Sequence, residues 1–485
     1  MTEILPGPHM SLLEIVVVVG AVALVTARWL PERMRRPAES GAGAMVVTSS
    51  TALVVAGRLR WQLLPVVAVA ALVLSVVVGA ELRARRGRPR RRARWWAAAP
   101  VSLACLCLVA VGPAASWALP EPELPAPSGP FAVGTSVVQW TDADRPEEAT
   151  ADAEDRRTVV VPLWYPARKT TADARSAVYL GRTEREAGIV SDALASYVGV
   201  PGFLLDGLSR TRTHAVVDAP VAEGGGRFPV VLFSPGLDAV RTQNTAWAEE
   251  LAGRGYVVAA LDHPYDSAAV VLADGRTIRT KVAATGDAGR DEKLAATWTA
   301  VRAADLSFVL TQLDRVARGE IPGPVGGRMD PSGVAATGHS LGGGAALRAA
   351  RQDGRFDAVV NLDGFPHDPG AKPFAQPVLA LTQDVRRDID PEYIPSLTHM
   401  LSLSTATSYR LTVPGAAHLT FTDAPLYTPP VESVVGSLGR TGGPRLSAAA
   451  SAAFLDTTLR GRPGDLATVL PAYGDLTVHS PRSSP

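Results

Sequence analysis

The stretch Gly333-Val-Ala-Ala-Thr-Gly-His-Ser-Leu-Gly-Gly-Gly-Ala-Ala-Leu347 constrains this chain more than any other. A short apolar run leads into Gly-x-Ser-x-Gly, and an Ala/Leu/Arg segment with high helix propensity follows. A strand that turns this sharply into a helix brings neighbouring backbones together, so Gly338 and Gly342 stand where a Cβ would clash. The turn predicts that the Ser340 hydroxyl is lifted clear of its own backbone. Such a turn belongs to a sheet of parallel strands joined by helices.

The surrounding pattern agrees. Apolar, β-rich runs recur at 136–140, 158–165, 228–233, 256–261, 333–337, 358–362, 377–381 and 408–413. Helical patterns at 242–253, 291–316, 341–351 and 446–460 intervene. Alternation of this kind predicts an α/β fold, a mostly parallel sheet with helices on both faces, over residues 131–475. A polar tail is expected over 476–485, and a cap-like insertion near 176–219. In that insertion Val198, Val200, Phe203, Leu204, Leu205 and Leu208 surround Pro201-Gly202, a cluster that lines an acyl pocket, touches lipid or is simply core.

The first 119 residues differ in kind. They hold 14 Arg, no Lys and 5 Glu, a net charge of +9 against −8 for the remainder. Apolar runs at 11–27, 41–57, 62–80 and 96–119 predict an all-α membrane region of about four transmembrane helices, the second weakened by its polar Thr48-Ser-Ser-Thr51 centre. Between the runs lie four Arg (28, 33, 35, 36), two (58, 60) and eight (83–94). Four crossings put the two richest loops together on the inner side and everything after residue 119 outside. The opening decapeptide has no Lys or Arg and contains Glu3, unlike a cleaved signal peptide. Cys105 and Cys107, the chain's two cysteines, both fall in the fourth run, separated by about 200° around a helix. Residues 120–130, Pro-Glu-Pro-Glu-Leu-Pro-Ala-Pro-Ser-Gly-Pro, read as a stiff linker.

In a parallel sheet, chemistry sits just beyond the carboxyl ends of the strands. There the chain offers Ser340, then Asp363 after 358–362, then His418 after 408–413. A serine hydroxyl needs an imidazole to take its proton, and the imidazole needs a carboxylate to fix its tautomer. Of eight histidines, His9 is in the N-terminal tail, His339 is the turn's variable residue, and His214, His263 and His367 precede the last strand. His399 lies in a helix-like run and His479 in the polar tail, which leaves His418 as the base. Leu341 and Leu237, the latter in the loop Phe233-Ser-Pro-Gly-Leu-Asp238, are placed to offer backbone N–H groups to an oxyanion.

With these residues in place the chain resembles the α/β-hydrolases of the platelet-activating-factor acetylhydrolase type, in their bacterial membrane-anchored branch. The matching stretches are Ser128-Gly-Pro-Phe-Ala-Val-Gly-Thr135, Leu163-Trp-Tyr-Pro-Ala167, Phe233-Ser-Pro-Gly-Leu237, Leu261-Asp-His-Pro-Tyr-Asp-Ser267, Gly338-His-Ser-Leu-Gly-Gly343, Asn361-Leu-Asp-Gly364 and Gly415-Ala-Ala-His-Leu-Thr-Phe-Thr-Asp423. The resemblance implies an α/β-hydrolase fold, calcium-independent serine esterase chemistry, Ser340 as nucleophile, Asp363 as acid, His418 as base, and the Leu237 and Leu341 amides as oxyanion hole. Pro235 departs from the pattern, standing where the animal enzymes carry His, so choline-phospholipid specificity does not transfer.

The expectation is a membrane-anchored, extracytoplasmic hydrolase of carboxylic esters, short-chain or oxidised phospholipids among them, acting through an acyl-enzyme. Gly342-Gly-Gly344 also suits a broad, cutinase-like polyesterase, and an acyltransferase differs only in what reaches the acyl-enzyme. A non-catalytic lipid- or protein-binding module on the same fold is the alternative of a different class. Nothing in the chain calls for a metal, a cofactor or nucleic acid: the Arg clusters flank membrane runs. An ester substrate and a lipid bilayer are the expected partners.

Overall fold

The computed structural model describes residues 10–87, 94–171, 173–224, 226–283, 285, 287–368, 372–384 and 391–481. His9, Arg88, Arg90, Arg91, Arg92 and the last four residues of the expected tail lie outside them. Two compact units divide the chain, Met1–Glu121 and Pro122–Pro485.

The first unit holds four helices, α1 (Leu12–Ala27), α2 (Glu32–Val55), α3 (Leu64–Arg85) and α4 (Trp95–Ala118). Among the described residues three segments are long and apolar enough to cross a membrane, Glu32–Val55, Trp61–Arg85 and Trp95–Ala118. The first helix is not. Its 16 residues span about 24 Å, short of a hydrocarbon core of about 30 Å. It ends at Ala27, with Arg28 still in right-handed helical backbone, and α2 begins directly after Pro31. The expected weak point, the second run, is instead part of a continuous 24-residue helix, since Thr48 folds its hydroxyl back onto the carbonyl of Ala44 at 2.7 Å. Within this unit Arg60 grips buried Glu14 through two bonds of 2.6 and 2.9 Å, and Glu14 also caps α1 by accepting from the Ser11 amide.

The second unit opens with β1 (Ala132–Pro146), β2 (Arg156–Ala167) and β3 (Ser176–Val178), then α5 (Glu184–Tyr197), α6 (Asp206–Arg210) and β4 (Arg212–Val217). The central strands and helices come next: β5 (Phe228–Ser234), α7 (Thr245–Gly253), β6 (Val257–Ala260), the small hairpin β7 (Ala269–Val271) and β8 (Thr277–Arg279), and α8 (Ala288–Ala317). After them lie β9 (Met329–His339), α9 (Leu341–Gln352), β10 (Ala358–Leu362), β11 (Val378–Gln383), α10 (Tyr393–Ser402) and β12 (Ser408–Val413). The chain finishes with α11 (Glu432–Val435), α12 (Gly439–Thr458), α13 (Leu466–Val469) and β13 (Asp475–His479).

Eleven strands form one sheet in the order β13-β12-β11-β10-β9-β5-β6-β2-β1-β4-β3. The six from β12 to β6 are parallel, and β2 and β13 pair antiparallel at either side of them. Alternate residues point to opposite faces, as strand geometry requires. Val230, Leu232 and Val359 join α8, α9 and α10 in one core; Val231, Phe233 and Val360 join Trp247 of α7 and Phe454 of α12 in the other. This is the α/β-hydrolase architecture expected from the sequence.

Two expectations need correction. Residues 476–479 are not a polar tail: with Asp475 they pair with β12, from Thr412↔Asp475 to Ser408↔His479, with Leu476 packed on the core. A five-residue edge strand with one inward apolar side chain leaves almost no periodic signal. The segment 176–219 is narrower as an insertion than expected, because β3 and β4 belong to the main sheet. Between them α5 and α6 pack Val190, Ala193 and Leu208 against Val240, Ala268 and Leu426, residues of the loops after β5, β6 and β12. Leu208 is core, whereas Val198 and Phe203 are more than half exposed.

Candidate active site

Register brings the candidate residues to one edge of the sheet. Ser234 pairs with Gly338, Asn361 with Gly338, Leu362 with both His339 and Leu381, and Gln383 with Val413. Strands β5, β9, β10, β11 and β12 therefore end level, and the loops at their carboxyl ends meet one another.

Ser340 sits between β9 and α9 with φ 54° and ψ −125°, a left-handed backbone for a residue with a side chain. Its neighbours explain how that strain persists. A Cβ on Gly342 would lie 2.0 Å from the Ser234 carbonyl oxygen, and one on Gly338 would lie 2.3 Å from the Gly342 backbone. Two glycines thus allow the strand, the helix and the β5 loop to touch. Ser340 is partly exposed at the tip, and its amide donates to the Leu362 carbonyl at 3.0 Å, fastening the turn to β10.

Asp363, directly after β10, is also left-handed at φ 53°. Asn361 holds this turn from within, donating to the Gly364 carbonyl at 2.8 Å and accepting from its amide at 2.7 Å. One carboxylate oxygen, Oδ1, accepts from the Gln383 amide at 3.0 Å and from the Tyr393 hydroxyl at 3.1 Å. The other, Oδ2, is 2.6 Å from Nδ1 of His418. Burial and the adjacent carboxylate both push the Tyr393 hydroxyl well above its usual pKa, so it stays a donor. The His418 side chain is 40% exposed and the Asp363 side chain 1%, a solvent-reachable imidazole backed by a buried carboxylate.

A third connection escapes sequence reading. The His339 ring lies 4.6 Å from that of His418 and its Nε2 is 3.0 Å from the His418 carbonyl oxygen. Its Nδ1 is 3.2 Å from Nε2 of Gln243, whose Oε1 accepts from the Gly236 amide at 2.8 Å. Burial, then the neighbouring His418, drive the His339 pKa far below its ordinary value. A neutral imidazole that accepts at Nδ1 and donates at Nε2 links the β5 loop, the serine turn and the β12 loop in one chain.

The Leu237 and Leu341 amides, one in the loop after β5 and the other directly after Ser340, have no protein acceptor among the described residues. Next to Leu237, Asp238 is buried in a left-handed turn at φ 56°, and burial lifts its carboxyl to about 6.

A second Ser–His–Asp set was missed. Ser234 Oγ lies 2.9 Å from His263 Nε2, and His263 Nδ1 lies 2.7 Å from Asp305 Oδ2, with all three side chains buried. Burial lowers the His263 pKa. Burial would raise Asp305, but Arg157 and the His263 contact outweigh it and hold the carboxylate well below its usual range. Histidines ahead of the last strand looked unsuitable as bases; His263 is hydrogen-bonded all the same, in a structural array. Among the described residues no group of three or more His, Cys, Asp or Glu could hold a metal ion.

Several known proteins are similar to this chain. The family described as platelet-activating factor acetylhydrolase, isoform II, matches residues 118–320. A protein of Arthroderma benhamiae described as a probable 1-alkyl-2-acetylglycerophosphocholine esterase is 27% identical over 62% of this chain and 76% of its own length. The platelet-activating factor acetylhydrolase of Cavia porcellus is 25% identical over 50% of this chain and 55% of its own. Among solved structures, a ferulic acid esterase from Streptomyces cinnamoneus is 32% identical with a TM-score of 0.59, over 74% of this chain and 99% of that one. A level-edged parallel sheet with a strained serine turn, in a chain similar to the esterases and acetylhydrolase just named, makes this protein a carboxylic ester hydrolase that belongs to the platelet-activating-factor-acetylhydrolase-like α/β-hydrolases.

Proposed function

We propose that the chain is a membrane-anchored serine esterase whose hydrolase unit faces the extracytoplasmic side and cleaves carboxylic esters, short-chain or oxidised phospholipids among them. Ser340 attacks the ester carbonyl, His418 takes its proton, and Asp363 holds the imidazole tautomer with hydrogen on Nδ1 and stabilises the imidazolium. The tetrahedral oxyanion is received by the Leu237 and Leu341 amides. Alcohol leaves with the proton from His418, and water then releases the acyl group by the same route in reverse order. The observation that carries this reading is the 2.6 Å Asp363–His418 bond at the sheet edge where left-handed Ser340 protrudes.

Sidedness rests on α2 and α3. A short connection makes them an antiparallel hairpin, so the Arg-rich segments 28–36 and 83–94 share one side whether or not α1 crosses. By the positive-inside tendency that side is cytoplasmic, and α4 then carries the chain outward.

The test is hydrolysis of nitrophenyl esters of graded length and of short-chain phospholipids by the full chain in detergent, beside Ser340→Ala. Turnover should fall by about 10⁶ in the variant, and labelling by a fluorophosphonate should disappear. Near-normal activity in Ser340→Ala discards the mechanism. Methyl ferulate belongs in the same assay, because the relative covered over 99% of its length is named a ferulic acid esterase; Ser340-dependent turnover of it alone would shift the substrate class to aromatic acyl esters.

A further inference from the structure

We propose that Arg302 is a positioning residue for the oxyanion hole: it holds the Pro235 and Gly236 carbonyls on the far side of the β5 loop, so that the Leu237 amide is aimed at the oxyanion. This rests on the serine-esterase reading above and assigns a function to a charge that otherwise has none.

Arg302 lies in the middle of α8 and is completely buried, an environment that a guanidinium tolerates only when its charge and all its donors are met. All are. A guanidinium has five N–H groups, and five acceptors surround this one. Asp266 takes two bonds in a bidentate pair, Nε to Oδ2 at 2.6 Å and Nη2 to Oδ1 at 2.5 Å. The other three go to consecutive residues of one loop: Nη1 to the Ser234 hydroxyl at 3.4 Å and to the Pro235 carbonyl, and Nη2 to the Gly236 carbonyl at 3.0 Å.

Peptide geometry converts this grip into a direction. A trans peptide is planar, and its C=O and N–H point opposite ways. With the Pro235 carbonyl turned to Arg302, the Gly236 N–H must face away from it, and there it meets Gln243 at 2.8 Å. With the Gly236 carbonyl turned to Arg302, the Leu237 N–H must likewise face away, and it has no protein acceptor among the described residues. The loop runs close beside the nucleophile, since a Cβ built on Gly236 would stand 3.5 Å from Ser340 Cβ, and the proposal places the Leu237 N–H on that side. Two consecutive carbonyls held by one planar, fully hydrogen-bonded group oppose a flip of the peptide between them, which is what an oxyanion donor aligned before the reaction requires.

The partner of Arg302 is itself anchored. Asp266 follows the left-handed Tyr265, and its amide donates to the His263 carbonyl at 3.0 Å. His263 reaches back to Ser234 through its ring, so the array Ser234–His263–Asp305 holds the start of the same loop that Arg302 holds further along.

The experiment compares an oxoester with its thionoester counterpart, in which sulfur replaces the carbonyl oxygen. Sulfur accepts hydrogen bonds poorly, so an aligned oxyanion hole favours the oxoester, and the ratio of the two kcat/KM values reports alignment rather than folding. The full chain is assayed as Arg302→Met and as Arg302→Met with Asp266→Leu; the double variant removes both buried charges and so leaves neither unpaired. Oxoester kcat should drop by about 10² with KM little changed, and the oxo/thiono ratio should fall at least about tenfold. An oxoester kcat within threefold of wild type, or a loss shared equally by oxoester and thionoester, overturns the role of Arg302 alone. Absence of Ser340-dependent turnover in the wild-type chain overturns the site assignment, and the role of Arg302 with it.

Discussion

Gly342→Ala is the sharpest perturbation of the site that leaves every chemical group in place. A methyl carbon there would stand 2.0 Å from the Ser234 carbonyl oxygen and 2.4 Å from that of Pro235. Real Cβ atoms keep at least 3.0 Å from backbone, so the start of α9 and the β5 loop must separate by about 1 Å. Each of these segments carries one proposed oxyanion donor, Leu341 on the helix and Leu237 on the loop. Misplacing a reacting geometry by that distance costs about 10²-fold, and losing one such donor costs about 10² to 10³. Turnover should therefore fall by about 10² to 10³, about 3–4 kcal/mol of transition-state stabilisation, with KM changed far less. Gly354→Ala is the control, since a Cβ at that position meets nothing within 4 Å. Steady-state hydrolysis of nitrophenyl butyrate, with thermal unfolding to verify that the chain is folded, decides the matter. A Gly342→Ala kcat within threefold of wild type refutes the close-contact reasoning and the placement of the oxyanion hole built on it.

Other consequences rest on single contacts. Asp363→Asn keeps the side-chain shape but presents an amide to His418 Nδ1, so turnover should drop by about 10⁴ while fluorophosphonate labelling slows without vanishing; a loss under tenfold would remove Asp363 from the triad. Asp423 is buried beside Tyr179 and the α7 amides, and burial raises its carboxyl to about 8, against roughly 4 in the unfolded chain. The native state therefore holds a proton that the unfolded state has lost, and wild-type stability declines as pH rises from about 4 to about 8. A carboxamide in its place does not titrate, so the Tm of Asp423→Asn relative to wild type should climb between pH 5 and pH 8.5, an effect on the order of a few kcal/mol; a flat difference sinks the assignment. Phe203, half exposed between α5 and α6, should report on a lipid-facing cap: emission from Phe203→Trp should shift to the blue on liposomes, and an unchanged spectrum returns the cluster to ordinary surface.

How much of this was legible in the sequence depended on the range over which each signal acts. Strands β5, β9 and β10 carry continuous apolar runs because both sheet faces are covered there, and a run bounded by turns needs no partner to be seen, whereas β12, Ser-Tyr-Arg-Leu-Thr-Val, is mixed in polarity and buries three of its six residues. Gly338, Gly342 and Ser340 were readable for the same reason, since the turn they make is local. The interactions that hold the turn are not. Gln243 reaches His339 across 96 positions and Arg302 reaches Pro235 across 67, and neither pair has a spacing that marks it. The short strands β3, β7 and β8 have three residues each, below the length at which alternation can be distinguished from chance. In the first unit the error had a different cause. Composition alone favoured the apolar first run over the polar second, whereas α1 closes after 16 residues and a hydroxyl bonds back within the 24-residue α2.

The buried Ser234–His263–Asp305 array and the proposed Ser340–His418–Asp363 triad show why residue type cannot assign chemistry without surroundings. Both have a serine hydroxyl or its turn at the sheet edge, an imidazole, and a carboxylate bonded to Nδ1 at 2.6 or 2.7 Å. A general base must hold a proton for the lifetime of the intermediate, and this needs a carboxylate whose charge is still available to the imidazolium. Asp305 has spent its charge on Arg157, at 2.7 and 3.1 Å, and His263 is buried beside Arg302, so an imidazolium there would be desolvated and opposed by a neighbouring cation. Ser234 is closed off as well, its hydroxyl lying between His263 and Arg302. Asp363 instead accepts from a neutral hydroxyl and a backbone amide, which orient the carboxylate without neutralising it, and His418 is open to solvent. The buried array is thereby suited to keeping a loop still and the proposed triad to moving a proton, and the loop that the first keeps still is the one that carries the proposed Leu237 oxyanion donor.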